Sequence, residues 1–286
     1  MVCPQAPVLS AFQLTGAQLG SPIWLPEAQA VAVLDGDGHQ WLLKNEYASA
    51  LSSDIQSHAY LDCADSGYLI TGEGSEATLR CVTVTSEGVG RAAQIPLCGS
   101  SLSSVSMLLP SSNGGLLVAL QSGCLINLSR DSEPVSLYSN TFTAHAGCLS
   151  SDERTLHLCR SDGVYECTVN LEIGECSDLK KMHLDLPSAF VPNAIATDTT
   201  GNLYVCGDDG VTICTASGEM LARMSTPAPV TGCCFGGASF SEFFFTTGDT
   251  LWRVKANVQG VQPSSTQFLQ RMDKLTAAGE FRHEGW

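Results

Sequence analysis

The chain has 286 residues, with 14 Lys and Arg against 29 Asp and Glu and a formal net charge of -15. That balance repels a phosphate backbone or an anionic leaflet, and no basic run offsets it locally, so neither nucleic acid nor membrane is expected as a partner. The length admits two small domains or one large β domain, and internal repetition decides between them.

In chain order, MVCPQAPVLSAFQLTG at the amino terminus has no basic region followed by an apolar stretch. Nowhere do about 18 uncharged apolar residues run together. The expectation is a soluble, cytoplasmic protein. The segment Val8–Leu14 is strand-like and stands ahead of a series of short apolar runs: AVAVLDG from Ala30, GYLITGE from Gly67, GLLVALQ from Gly115, RTLHLCR from Arg154, GNLYVCG from Gly201 and EFFFTTG from Glu242. Their spacing of roughly 37 to 48 residues is the period of four-stranded propeller blades. Asp, Ser and Gly at the intervening turns permit tight antiparallel reversals. The predicted fold is all-β: a six-bladed β-propeller of four-stranded antiparallel blades, read as a single domain over 1–286. A ring must seal its ends or expose strand edges, so Val8–Leu14 is expected to add the outer strand of the last blade. From about residue 264, Phe268, Leu269, Met272 and Leu275 fall at helical spacing and suggest a short amphipathic tail.

Thirteen cysteines are an odd number in a chain long enough to build its own core, and most sit in apolar strands, so reduced core thiols are expected. The sequon at Asn127 to Ser129 is then incidental. No C-x-x-C pair, H-E-x-x-H or G-x-S-x-G is present, and CFGGASF lacks the lysine and following helix of a phosphate cradle. Asp35, Asp37, Asp208 and Asp209 sit in turn text and read as turn chemistry. Trp24, Trp41 and Trp252 read as packing residues, with Trp24 also placed to touch a ligand.

Three stretches carry a resemblance: LGSPIWLPEAQAVAVLD, PNAIATDTTGNLYVCGDDGVTIC and PAPVTGCCFGGASFSEFFFTTGDTLWRVKANVQG. The chain resembles the senescence-marker protein, regucalcin, gluconolactonase and luciferin-regenerating-enzyme family of six-bladed propellers. The resemblance implies a divalent cation on the propeller axis, held by a glutamate, an asparagine and an aspartate, that polarises a lactone or ester carbonyl. Here those letters have changed. The glutamate position reads Ser21, the asparagine position falls on His145, the aspartate position is Asn193, and a fourth family position lies near Ser106 and Met107.

Hard cations need several oxygen ligands, normally with a carboxylate among them, so no bound metal or other cofactor is expected; calcium or zinc is the alternative. His58, at the head of the second blade, joins His145 and Asn193 as candidate catalytic residues. Imidazoles exchange protons near neutral pH, and an amide can orient a carbonyl. Ser21, Ser106 and Trp24 are candidate substrate-binding residues. The favoured function is a metal-independent isomerase or cyclase acting on a lactone-like or polycyclic small molecule. A metal-dependent lactonase or esterase and a non-catalytic binding propeller are the alternatives, and the oligomeric state stays open.

Overall fold

A computed structural model of the chain describes residues 9–44, 47–63, 66–74, 78–85, 88–95, 104–112, 115–128, 135–138 and 142–261. Every described element is a strand. The first, β1 (Leu9–Gln13), stands ahead of the blades. Blade 1 is β2 (Gly20–Leu25), β3 (Ala30–Leu34), β4 (Gln40–Lys44) and β5 (Tyr47–Ser52). Blade 2 is β6 (Ile55–Cys63), β7 (Ser66–Glu73), β8 (Thr78–Thr85) and β9 (Gly88–Ile95). Blade 3 is β10 (Val105–Pro110), β11 (Leu116–Leu120), β12 (Leu125–Leu128) and β13 (Val135–Tyr138). Blade 4 is β14 (Ala146–Leu149), β15 (Thr155–Arg160), β16 (Gly163–Asn170), β17 (Glu175–Cys176) and β18 (Lys180–Lys181). Blade 5 is β19 (Pro192–Thr197), β20 (Leu203–Gly207), β21 (Gly210–Cys214) and β22 (Met220–Met224), and blade 6 is β23 (Val230–Gly236), β24 (Glu242–Thr247) and β25 (Thr250–Lys255).

Each blade is an antiparallel sheet of its own, and the six form a six-bladed propeller. The six apolar runs of the sequence are the second strands, β3, β7, β11, β15, β20 and β24. Their continuous hydrophobicity has a packing cause: a second strand is covered on both faces by neighbouring blades, and β3, β11 and β20 are buried at every residue. The core is accordingly divided into six clusters, one in each seam. Leu25, Ala32 and Leu69 fill the seam between blades 1 and 2, and Ile70, Val105 and Leu116 that between blades 2 and 3. Tyr204, Phe243 and Phe245 fill the seam between blades 5 and 6. Blade 4 departs from four strands, because its outer edge is two short pieces, β17 and β18, that both pair with β16.

The ring closes where the sequence predicts. β1 pairs antiparallel with β25, from Leu9 opposite Arg253 to Gln13 opposite Thr250, and the Leu14 amide donates to the Asp249 carbonyl at 2.9 Å. Phe12 packs into the cluster of Leu19, Val33 and Phe244 between blades 6 and 1. Deleting residues 1–14 would strip this packing and expose the donors and acceptors of β25 as an open edge. The truncated protein is expected to aggregate and to lose several degrees of melting temperature; a monomer with unchanged melting would contradict closure by β1. The ten described cysteines that are free include buried Cys81, Cys148, Cys159, Cys206 and Cys214. Among the described residues no helix is long and apolar enough to cross a membrane. The tail expected from about residue 264 and the last residue of the sequon lie outside the described residues.

Candidate functional site at the propeller axis

The innermost strands, β2, β6, β10, β14, β19 and β23, line the axis, and five of them break register with their second strand near their own start. The shifts fall between Gly20 and Ile23, Ile55 and Ser57, Val105 and Met107, Pro192 and Ala194, and Val230 and Gly232. A bulge leaves an unpaired residue and re-aims its side chain. The residues so released are Ser21 with Pro22, Gln56, Ser106, Asn193 and Thr231. In blade 4 the same place is held by His145, which precedes the regular pairing of Ala146 with Cys159 and donates its own amide to the Cys159 carbonyl at 3.2 Å. One structural position, repeated around the ring, therefore yields Ser21, Gln56, Ser106, His145, Asn193 and Thr231.

A cavity of about 590 Å³ runs along the axis, and all six sequence-selected residues line it: Ser21, Trp24, His58, Ser106, His145 and Asn193. Thr231 lines it too and was missed by sequence reasoning; its signal was its place in the sixth repeat, one residue before Gly232. That glycine is required, since a Cβ there would lie 2.4 Å from the Ser21 backbone nitrogen. His58 was read as the blade-2 equivalent of Asn193, but the bulge gives that place to Gln56, which turns away and donates to the Gly74 carbonyl at 2.7 Å. His58 stands two residues deeper, opposite Thr71.

The hydrogen bonds decide what each group has left to offer. His58 is buried; its Nδ1 accepts from Gln40 Nε2 at 2.8 Å and its Nε2 donates to the Ser21 carbonyl. Burial pushes its pKa down to about 4. It is a neutral imidazole bridging blades 1 and 2, with no nitrogen free for the catalytic base role or for zinc. Ser106 Oγ donates to the Ala144 carbonyl at 2.7 Å, which leaves acceptor lone pairs. His145 Nε2 donates to the Pro192 carbonyl at 2.9 Å, so the neutral ring is the Nε2–H tautomer, and its Nδ1 has no partner among the described residues. Asn193 spends both amide hydrogens, on the Val230 carbonyl at 3.0 Å and on Asp208 Oδ1 at 3.3 Å. Its Oδ1 is uncommitted among the described residues, so Asn193 serves as an acceptor and not as the carbonyl-orienting donor expected from sequence. Thr231 Oγ1 donates back to the Leu19 carbonyl and closes the belt between blades 6 and 1. Ser21, at φ 45°, keeps its hydroxyl free among the described residues. Trp24 stacks on Phe244 with ring centroids 5.6 Å apart, and its indole nitrogen is buried without a partner among the described residues.

The deeper wall is apolar, with Ile23, Leu108, Ile195 and Phe235 among its residues, and no Lys or Arg lines the cavity among the described residues. Its single carboxylate among the described residues, Glu153, is tied to the Ser112 amide and hydroxyl at 2.7 and 2.8 Å. Cys148 faces Thr197 Oγ1 at 2.9 Å, and burial pushes its thiol up to about 12. The hydrogen bond with Cys206 and then burial raise the thiol of Cys233, and burial raises that of Cys234. Thiols held protonated in this way are poor nucleophiles. Among the described residues the one cluster of three potential metal ligands is Asp35, Asp37 and His39, in the turn between β3 and β4. There Asp35 already accepts from the indole of Trp41 and from two backbone amides, as turn chemistry requires. The axial donors are neutral, which does not fit a hard divalent cation.

The comparisons with known proteins agree with this architecture. Residues 113–249 match the family model described as SMP-30/Gluconolactonase/LRE-like region. That match covers a little under half of the chain. A structural-genomics target assigned as a gluconolactonase superposes with a TM-score of 0.77 at 17% identity, over 92% of this chain and 96% of its own. A gluconolactonase from Xanthomonas campestris does so with a TM-score of 0.71 at 16% identity, over 87% of this chain and 89% of its own. A luciferin-regenerating enzyme gives a TM-score of 0.69 at 16% identity, over 91% of this chain and 99% of its own. No curated protein sequence matches the chain. At these identities the chain shares the fold with its neighbours, and its chemistry has to be argued from its own axis.

Proposed function

We propose that this gluconolactonase-like propeller is a small-molecule enzyme that acts without a divalent cation, by proton transfer at His145. The observation that carries the reading is the His145 ring, whose Nε2 is spent on the Pro192 carbonyl and whose Nδ1 has no partner among the described residues, lining a largely apolar cavity whose one described carboxylate, Glu153, is tied to Ser112. An imidazole nitrogen in that state removes a proton from carbon or oxygen beside a carbonyl and returns it at a second position, so an isomerisation or cyclisation balances with no co-reactant. The Ser21 hydroxyl, from the blade opposite, is the rim group that still has a hydrogen to give to the developing oxyanion. Asn193 Oδ1 and Ser106 Oγ orient a substrate donor, and Trp24 walls the apolar part of the site. His58 supports the rim by holding the Ser21 carbonyl.

A second reading, metal-dependent lactone hydrolysis, is favoured by the gluconolactonases among the structural neighbours. Turnover of a lactone and enol-lactone panel by chelator-treated protein separates the two. The proposal expects activity that survives chelation and falls about 100-fold or more in His145→Ala. Activity abolished by chelation and restored by calcium or manganese would select the second reading.

A further inference from the structure

Three consecutive blades present their rim side chains in one chemical state. Ser106 in blade 3, His145 in blade 4 and Asn193 in blade 5 each give their hydrogens forward, to the carbonyls of Ala144, Pro192 and Val230. What each keeps at the cavity is an acceptor: Oγ, Nδ1 and Oδ1. Behind them, Asp208 holds a carboxylate 3.3 Å from the Asn193 amide, no Lys or Arg lines the cavity among the described residues, and the whole chain carries a charge of -15. An arc of three acceptors without a donor mismatches a carboxylate or phosphate, which brings only acceptors of its own, and leaves such an anion with no cation to pair with. It matches a group with several N–H donors, and the surrounding potential favours one that is positively charged. The wall beyond the arc, with Ile23, Trp24, Leu108 and Phe235, suits an apolar body.

We infer that the axial site selects a primary ammonium on an apolar scaffold, its N–H groups taken by Ser106 Oγ and Asn193 Oδ1, with the His145 Nδ1 lone pair kept for proton transfer. The inference rests on the reading of the axial cavity as the functional site and names the class of molecule it takes. A matched series tests it: phenylbutylamine, phenylbutanol and phenylbutyrate share one apolar body and differ in head-group charge. Isothermal titration calorimetry at neutral pH in the presence of chelator is expected to show the amine bound at least about tenfold more tightly than the alcohol, and the carboxylate most weakly. Asn193→Ala is expected to lower amine affinity several-fold. Asp208→Asn, a change at an exposed residue that leaves the seams intact, is expected to weaken the amine and spare the alcohol. Equal binding of the three probes overturns the inference and leaves the cavity standing as a site. Tighter binding of the carboxylate overturns it as well, and binding of none removes both the inference and the reading beneath it.

Discussion

Acidification from about pH 7 to about pH 5 is expected to remove roughly 4 kcal/mol of folding stability through two buried histidines. Burial holds both His58 and His157 at a pKa of about 4, against 6.5 for the free side chain. The sign follows from linkage. Below about pH 6.5 the unfolded chain takes up these protons while the folded chain refuses them, so the stabilisation present above that pH is lost progressively until about pH 4. Each histidine contributes about 1.4 kcal/mol per pH unit inside the window. Ordinary carboxylates titrate mainly below it. Urea denaturation across this range reads the slope directly. His58→Gln is expected to halve it, and a midpoint that does not move between neutral pH and about pH 5 would show that neither ring is kept neutral.

Asn193→Asp is expected to destabilise the propeller by about 2–3 kcal/mol without creating a calcium site. A carboxylate cannot donate to the Val230 carbonyl, and it would face Asp208, whose Oδ1 now lies 3.3 Å from the Asn193 amide nitrogen. One bonded carbonyl would lose its partner and two like charges would meet at the rim, where solvent screens part of the repulsion. Beyond exposed Asp208 the rim groups are the Ser21, Ser106 and Thr231 hydroxyls and the His145 ring, with no further carboxylate among them to complete the oxygen shell of a hard cation. Thermal melting with and without calcium checks both sides, and a variant as stable as wild type that gains several degrees from calcium would contradict the assignment.

These two results depend on features that differ in how far the sequence displays them. The blades were legible because a strand buried on both faces has to be apolar throughout, and AVAVL, LLVAL and LYVCG say so at a regular period. Closure by β1 was legible from the cost of an open edge. The bulges were not, since an extra residue in a strand leaves no compositional mark, and a slip of two positions put His58 where Gln56 stands. Thr231 escaped notice because a threonine in a strand is unremarkable until its repeat equivalents are known to be Asn193 and Ser106. The direction of the hydrogen bonds lay furthest from view. Asn193 and His145 reach carbonyls 37 and 47 residues away in the next blade, and that choice alone converts an expected donor into an acceptor.

The proposed chemistry turns on the state of one imidazole at the axis. A long-range nitrogen–proton NMR spectrum of ring-labelled, chelator-treated protein, repeated through a calcium titration into the millimolar range, reads that state. His145 is expected with Nε2 protonated and Nδ1 bare, and with resonances that calcium leaves in place. A His145 protonated at Nδ1, or a signal that moves to saturation at micromolar calcium, would contradict the proposed chemistry.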